Sequence, residues 1–315
     1  MSPADLAGSH TPVLYQPVLS ALQPRAGSRY VDGTVGAGGH AAGLLELSSP
    51  DGWLLGLDRD PAALELAATR LDRFQPRLRL RHGSFADLGQ HLAAEAWPPV
   101  QGILLDLGLS SMQLEAAERG FAFRLDGPLD MRFDPGQPST AADLINHLPE
   151  KELADLLWQW GEEPQSRRIA RGIVGRRPLD STAELADLVS RVVGSRPGQR
   201  VHPATRTFQA LRIAVNDELA ALEAGLEQAA EALAPGGRLA VISFHSLEDR
   251  IVKRFLRAEA KGCTCPPWQP ICTCGREARF RVITPRPIRP DADEIESNPR
   301  ARSARLRVGE RRGLA

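Results

Sequence analysis

The feature that most constrains the fold is a short apolar run followed by a glycine-rich turn, at residues 30–40 (Tyr-Val-Asp-Gly-Thr-Val-Gly-Ala-Gly-Gly-His). The run ends at Asp32, and a helix with apolar periodicity is predicted to begin near Ala41. Such a strand, turn and helix N-terminus form a nucleotide-type site, because glycine lets the backbone approach a ligand and the helix end offers N–H groups. Asp58 closes the next apolar run, where a carboxylate can accept both hydroxyls of an adenosine ribose.

Two classes of cofactor fit this turn. The run Gly36-Ala-Gly-Gly-His-Ala41 satisfies the dinucleotide pattern with alanine in the last position. Asp32, however, would lie near a pyrophosphate and repel it, whereas the same charge attracts the ammonium and sulfonium groups of S-adenosylmethionine. We therefore favour S-adenosylmethionine as the cofactor, and an NAD-linked oxidoreductase is the alternative.

Strands and helices alternate through the first third of the chain. Predicted strands cover 30–35, 53–58, 78–82 and 102–107, and predicted helices cover 41–47, 61–74 and 87–94. Alternation with short links predicts an α/β, doubly wound sheet of parallel strands with helices on both faces. Ligands in such sheets bind at the carboxyl ends of strands, and here those ends carry Asp32, Asp58, Phe85 and Asp106.

After Gly108 the alternation stops. Only helical periodicity is found from about 115 to 202, at 141–147, 150–160, 165–176 and 182–193, so a small helical domain is predicted to be inserted into the sheet domain. One helical run at 205–233 follows, and strand-like runs at 239–244, 280–284 and 304–308 return the chain to the sheet. The predicted domains are 1–115 with 203–315, and the insertion at 116–202.

Charge and hydropathy exclude little. Basic and acidic residues number 39 each, so net charge does not favour nucleic acid. No apolar run approaches membrane-spanning length and the first residues lack a signal peptide's apolar segment, which predicts a cytoplasmic protein without a membrane partner. From Ser297 onward six arginines face one acid, Glu310, and phosphate contact and a solvated end are equal alternatives for this segment.

Several longer motifs together resemble the bacterial RsmH (MraW) family. They are Asp32-Gly-Thr-Val-Gly-Ala-Gly-Gly-His40, Asp58-Arg-Asp-Pro, Leu105-Asp-Leu-Gly-Leu-Ser-Ser-Met-Gln113, Asp126-Gly-Pro-Leu-Asp-Met-Arg132, Arg212-Ile-Ala-Val-Asn-Asp-Glu218 and Ser243-Phe-His-Ser-Leu-Glu-Asp-Arg250. Met112 departs from the proline expected in many members, which puts the local geometry of that loop in question.

The resemblance implies a seven-stranded class I methyltransferase (Rossmann-like) sheet. It also implies methylation of the exocyclic N4 of a cytidine in small-subunit ribosomal RNA, with that RNA as partner. The family's contacts to S-adenosylmethionine carry over onto Gly38, Gly39, His40, Asp58, Phe85, Asp106 and Gln113, beside the Asp32 inferred above. A catalytically silent RNA-binding assembly factor is the non-enzymatic alternative, and a homodimer is left open.

Two residues are candidates for contact with the target base. The amino nitrogen of cytosine is a poor nucleophile, because its lone pair is delocalised into the ring. Asp106 can accept a hydrogen bond from that amino group and turn the lone pair toward the methyl. His245, just after the predicted fifth strand, is the second candidate, and a histidine bonded to a backbone carbonyl is its structural alternative.

Other cofactor residues have structural alternatives as well. His40 can be an ordinary helix-start residue, Asp58 a helix N-cap, and Phe85 a core side chain in place of a surface on which adenine stacks.

A target base must be reached outside its stack, so flanking RNA needs a surface. We expect the segment 126–132 to line the entrance to the pocket. The arginines of the insertion could meet phosphates or form a solvated helix face; they are Arg167, Arg168, Arg171, Arg176 and Arg177.

The cysteines occur as two close pairs, Cys263 with Cys265 and Cys272 with Cys274. Four thiols in a Pro/Gly loop can hold tetrahedral zinc, but paired ligands usually have two residues between them and here there is one. Thiols without a metal, or a redox-labile pair, are therefore favoured, and no metal ligand is predicted.

Overall fold

The computed structural model describes residues 12–194, 202–263, 265–266, 268–271, 273–275 and 277–313. The chain divides into a sheet unit, Met1–Gly108 with Ala221–Ala315, and a helical unit, Leu109–Ala220. The helical unit is wider than the predicted insertion, 116–202. The helix Thr205–Asn216 accounts for most of the difference, because Phe208 and Leu211 on it are buried in the helical unit's own apolar core.

Seven strands form the sheet. They are β1 (Arg29–Asp32), β2 (Trp53–Asp58), β3 (Leu78–His82), β4 (Val100–Asp106), β5 (Leu233–Ser243), β6 (Phe280–Val282) and β7 (Arg305–Arg311). Their order is β3-β2-β1-β4-β5-β7-β6. The first five strands in this order are parallel, and β7 is antiparallel to both of its neighbours. The order reverses between β1 and β4, so that boundary is where a doubly wound sheet binds ligands.

Helices of the sheet unit cover both of its faces. They are α1 (Tyr15–Leu22), α2 (Gly39–Leu47), α3 (Pro61–Leu71), α4 (Leu88–Ala94), α11 (Glu218–Ala232, from Ala221 onward), α12 (Ser246–Glu259) and α13 (Ala292–Ser297). Strand residues alternate between two apolar clusters: Tyr30 and Leu104 belong to the one that α1, α2 and α3 complete, and Val31 belongs to the one that α4, α11 and α12 complete. The predicted doubly wound, seven-stranded sheet is confirmed.

The helical unit is built from α5 (Ser111–Glu115), α6 (Ala141–His147), α7 (Glu150–Gly161), α8 (Ser166–Val174), α9 (Thr182–Val193) and α10 (Thr205–Asn216). Capping boxes begin α6 at Thr140 and α9 at Ser181, where a side-chain oxygen and an acid three residues later satisfy the free N–H groups. No strand belongs to this unit within the part of the chain that the structure describes.

One prediction from the sequence is wrong, and another holds only in part. The single helical run at 205–233 is two helices, because Asp217 adopts a left-handed conformation with φ 50° and ends α10. Of the arginines after Ser297, Arg300, Arg302 and Arg312 are exposed, and both alternatives stay open for them, but two others have structural contacts. Arg305 and Arg307 lie in β7, where Arg307 is 6% exposed and its guanidinium bonds to Asp249 of α12. Among the described residues, no helix is both long and apolar enough to cross a membrane.

Candidate functional site

Asp32 is the last residue of β1, and its side chain is only 1% exposed. The backbone N–H of Thr34 donates to Asp32 Oδ1 at 3.2 Å, and the Thr34 hydroxyl accepts from the backbone N–H of Asp106 at 2.7 Å. The turn after β1 is thereby tied to the carboxyl end of β4. Strand β1 ends at Asp32, before the predicted 35, and the next residue, Gly33, begins the turn while still donating to the carbonyl of Leu104 at 2.9 Å.

The glycines of the turn are required by close packing within the chain. Gly38 has φ 81°, and a Cβ added there would lie 2.8 Å from Leu71 Cδ1. A Cβ on Gly39 would lie 2.4 Å from Pro12 Cγ. A side chain at either position would therefore push α2 away from its neighbours, so these glycines position the first turn of that helix whether or not a ligand is bound.

Asp58 braces the same turn from β2. Its Oδ2 accepts from the backbone N–H of Gly36 at 2.8 Å, and its Oδ1 accepts from the backbone N–H of Asp60 at 2.9 Å. The N-cap of α3 is Asp60, whose carboxylate accepts from the N–H of Ala62 at 3.1 Å. The alternative that Asp58 is the N-cap is therefore wrong, and its carboxylate faces the glycine turn.

Three carboxylates interact electrostatically at this edge of the sheet. Burial raises the pKa of the Asp32 carboxyl to about 7, and the nearby charges of Asp106 and Asp58 act in the same direction. Burial also raises the pKa of Asp58, although the N–H groups of Asp60 and Gly36 partly oppose this. A buried concentration of negative charge suits a cationic ligand and repels a pyrophosphate.

His40 lies in the first turn of α2 and is 5% exposed. Its ring stacks on Tyr15 with the ring centroids 5.9 Å apart, and its Nε2 lies 3.5 Å from Asp106 Oδ2. Neither ring nitrogen of His40, nor Asp106 Oδ1, has a hydrogen-bond partner among the described residues. Buried polar atoms normally have hydrogen-bond partners. We therefore expect a bound ligand to supply the missing partners of these atoms.

Phe85 begins the one-turn 3-10 helix Phe85–Asp87 directly after β3. Its ring packs on Gly225 of α11, where an added Cβ would lie 2.3 Å from Phe85 Cδ2, and it is half-buried at the edge of the second apolar cluster of the sheet. The core interpretation of Phe85 therefore holds for one part of the ring. Its exposed part remains the predicted surface for adenine.

His245 is the N-cap of α12. Its Nδ1 accepts from the backbone N–H of Glu248 at 3.4 Å, and its Nε2 lies 3.1 Å from Glu248 Oε1. The Glu248 carboxylate in turn accepts from the backbone N–H of Phe244 at 2.8 Å. The structural alternative predicted for His245, a bond to a backbone carbonyl, is replaced by a capping box. Since β4 and β5 are adjacent, Asp106 and His245 follow neighbouring strands at the same edge.

Gln113 lies in the helical unit, where it is 6% exposed and completes a capping box with Ser110 at the start of α5. This role was missed, although Ser110 and Gln113 have the spacing of a capping box, because α5 has only five residues.

The segment 126–132 is fixed inside the helical unit. Arg132 donates to the Asp130 carboxylate at 2.8 Å and to the carbonyls of Pro135 and Gln137 at 2.7 Å. Asn216 donates to the carbonyl of Met131 at 2.7 Å and accepts from the N–H of Phe133 at 2.7 Å. Sequence reasoning missed the role of Asn216, although the motif containing it was recognised.

Comparison with known proteins shows the family to which the chain belongs. The profile of the MraW methylase family matches residues 7–312. This chain belongs to the MraW methylase family. The chain is 55% identical over 309 residues to the ribosomal RNA small subunit methyltransferase H of Thermomicrobium roseum, covering 97% of this chain and 94% of that one. It is 53% identical to the protein of the same name from Geobacter sulfurreducens over 307 residues, covering 96% and 99%.

Membership of the MraW methylase family makes S-adenosylmethionine the cofactor and confirms the class I methyltransferase fold. The NAD-linked alternative is not supported. The residues present fit the cofactor, because the buried carboxylate of Asp32 and the partly buried ones of Asp58 and Asp106 match its positive charge. Its polar groups can satisfy the unpartnered atoms of His40 and Asp106.

Proposed function

We propose that this chain transfers a methyl group from S-adenosylmethionine to the exocyclic N4 of a cytidine in small-subunit ribosomal RNA. The observation that carries the proposal is the buried group of carboxylates at the point where the strand order reverses, in a chain more than half identical to proteins named for that substrate. The cofactor supplies a methyl group already activated by a cationic sulfur, so the protein has mainly to bind, orient and exclude water.

The proposed roles follow from the surroundings of each residue. Asp32 neutralises the ligand's positive charge, Asp58 accepts from its ribose hydroxyls, and Phe85 offers a ring face to adenine. Gly38, Gly39 and His40 form the wall at the start of α2, and the cofactor contact implied for Gln113 stays a prediction. The resemblance to the family does not place Asp32 among the cofactor contacts. We keep Asp32 in this set because its carboxyl group is the most deeply buried of the three carboxyl groups at this edge of the sheet.

Asp106 is the proposed catalytic residue. Its Oδ1 is buried and has no partner among the described residues, so it is able to accept an N–H from the cytosine amino group. That bond directs the nitrogen lone pair toward the methyl and holds the proton that must leave after transfer. His245 is the second candidate, because its Nδ1 already caps α12 by accepting from the N–H of Glu248. Its Nε2 is buried without a hydrogen-bond partner among the described residues, as Asp106 Oδ1 is, and we assign His245 to positioning the loop after β5.

The exposed arginines of the helical unit are proposed to contact RNA phosphates. Arg167, Arg171 and Arg176 are exposed on or just after α8. Arg177 instead donates to the carbonyls of Ile145 and Leu148, so its predicted phosphate contact is replaced by a structural one. Arg168 similarly donates to the carbonyl of Val192. The role of 126–132 at the entrance to the pocket stays a prediction.

Methyl transfer to ribosomal subunits tests the function. Small subunits from a strain lacking the enzyme are incubated with the purified protein and S-adenosylmethionine labelled in its methyl group, and nucleosides from the RNA are separated by mass spectrometry. We expect label in one N4-methylated cytidine. Label in another nucleoside would overturn the choice of acceptor atom, and no label at all would favour the silent assembly factor.

Charge removal tests the RNA surface. The triple variant of Arg167, Arg171 and Arg176 to alanine is expected to weaken RNA binding and reduce the slope of log K against log salt by about 2, since each phosphate contact to a single strand contributes about 0.7. An unchanged slope, with S-adenosylhomocysteine binding intact, would contradict this surface.

Two further predictions, on the cellular compartment and on the oligomeric state, complete the proposal. The cytoplasm is the proposed compartment, because ribosomal subunits are the substrate. A homodimer is the proposed second association, and Trp158 of α7, a large apolar side chain that is 61% exposed, is the anchor to test. Sedimentation of the wild type and of Trp158→Glu decides between dimer and monomer.

A further inference from the structure

The segment between α12 and β6 brings cysteine sulfurs together from two places in the chain. Cys263 and Cys265 precede a turn at Pro266–Gln269, and Cys274 follows it. The sulfurs of Cys263, Cys265 and Cys274 all lie within 4.8 Å of one another, and those of Cys263 and Cys274 are 3.8 Å apart. Cys272 lies outside the described residues. We name the described residues of 261–279 the cysteine loop.

The separation of the sulfurs is the one that a shared metal requires. Two thiolates bound to one zinc at about 2.3 Å in tetrahedral geometry are about 3.8 Å apart. A disulfide would bring its two sulfurs to about 2.0 Å and would involve only a pair, whereas three sulfurs converge here. The converging set therefore matches a metal better than a redox-labile pair.

A backbone N–H group points at one of these sulfurs. The N–H of Cys265 donates to Cys263 Sγ at 3.4 Å. Hydrogen bonds to a ligand sulfur orient it toward a metal. The side chain of Gln269 donates to the Thr273 hydroxyl at 2.8 Å and joins the two halves of the loop.

The cysteine loop has no apolar core of its own. None of its described residues is buried, and its two large apolar side chains, Trp268 and Ile271, are 83% and 73% exposed. A segment that buries so little surface needs another source of order, and small folds without a core commonly use a bound metal.

We propose that Cys263, Cys265 and Cys274 bind a zinc ion that holds the cysteine loop in one conformation. Soft thiolate ligands select zinc, copper(I) or iron–sulfur clusters, and zinc suits a site with a structural role because it undergoes no redox change. The three sulfurs occupy three positions, and the fourth is taken by a further ligand. The spacing of one residue within each pair had favoured thiols without a metal; the convergence of the sulfurs outweighs that argument.

Metal analysis of the full-length protein tests the proposal. The untagged protein is reduced, incubated with ZnCl₂, passed through a desalting column with a weak chelator, and analysed by inductively coupled plasma mass spectrometry. We expect about one zinc per chain. The double variant Cys263→Ser with Cys274→Ser should lose it, while Ile271→Ser, an exposed change in the same loop, should keep it. If the double variant bound as much zinc as the wild type, or if the wild type bound no zinc, the proposal would be overturned.

Cobalt gives a second measurement that needs no variant. Titration of the wild type with CoCl₂ should produce thiolate-to-metal charge-transfer absorption and the intense visible bands of a tetrahedral site, and ZnCl₂ should remove them. Zinc should also protect the cysteine thiols from alkylation and the cysteine loop from limited proteolysis. Absorption typical of octahedral cobalt, with unprotected thiols, overturns the proposal. Neither result depends on methyl transfer, so failure here leaves the proposed function standing.

Discussion

Aspartates in two recognised motifs have opposite electrostatic environments. Asp32 in the glycine turn is buried beside two other carboxylates, and its pKa is raised to about 7. Asp130 in the segment 126–132 is also partly buried, but the Arg132 guanidinium lowers its pKa below the ordinary value. The first carboxylate is proposed to meet the positive charge of a ligand, whereas the second already pairs with the guanidinium of Arg132 in its own unit. Recognisable motifs in one chain can therefore serve binding in one place and internal structure in another.

The largest expected effect comes from Asp106, whose Oδ1 is buried without a hydrogen-bond partner among the described residues. Asp106→Ala removes the only acceptor proposed for the cytosine amino group, so kcat should fall by about 10²- to 10⁴-fold. Single-turnover methyl transfer to small subunits measures it. Asp87→Ala, an exposed carboxylate change in the same unit, should leave the rate unchanged. A fall of less than tenfold for Asp106→Ala would show that Asp106 is not the catalytic residue.

Asp58 should affect binding more than turnover. Asp58→Ala removes the proposed acceptor of the ribose hydroxyls and the brace on Gly36, so the Kd for S-adenosylhomocysteine should rise by about 30- to 1000-fold, or about 2–4 kcal/mol. Calorimetry measures this change. An analogue without the ribose hydroxyls separates the two causes: it should bind wild type and variant almost equally if ribose recognition dominates. An equally large loss with that analogue would assign Asp58 to the turn alone.

Local patterns predicted the existence and order of the first four strands, and they placed the end of β2 at Asp58. The strands β1 and β4 end at Asp32 and Asp106, before the predicted 35 and 107. Contacts between distant residues could not be predicted. The Thr34 hydroxyl joins the glycine turn to β4 across 72 residues, and Arg307 bonds to Asp249 across 58. The break at Asp217 was missed because a left-handed aspartate leaves helical periodicity intact on both sides.

Arg132 tests the structural role of the second aspartate, Asp130. Arg132→Ala removes the counterion of Asp130 and two donors to backbone carbonyls, so it should destabilise the helical unit by about 2–4 kcal/mol. Urea unfolding with hydrogen exchange locates the loss. Arg176→Ala, an exposed change in the same unit, is the control and should cost less than about 0.5 kcal/mol. If Arg132→Ala weakened cofactor binding by as much free energy as it destabilised the helical unit, the segment 126–132 would have a role in binding as well as in structure.

Asp32 should make cofactor binding depend on pH. With its pKa raised from the ordinary value to about 7, the acid form predominates below pH 7 in the ligand-free protein. Its contribution to folding stability is complete below the ordinary pKa and is lost as pH rises through 7. A cationic ligand needs the carboxylate, so binding must release a proton below pH 7, and affinity for S-adenosylmethionine should rise about tenfold per pH unit up to about pH 7 and then level off.

The variant Asp32→Asn separates this carboxyl from the other groups that face it, His40, Asp106 and Asp58. The variant should bind more weakly at pH 8, show a nearly flat pH profile, and unfold at a higher temperature than the wild type above pH 7 without ligand, because the buried charge is gone. Calorimetry in buffers of different ionisation enthalpy counts the protons released. A slope that persists in Asp32→Asn would show that Asp32 is not the titrating group, and its buried charge would then no longer explain why this edge of the sheet binds a cation.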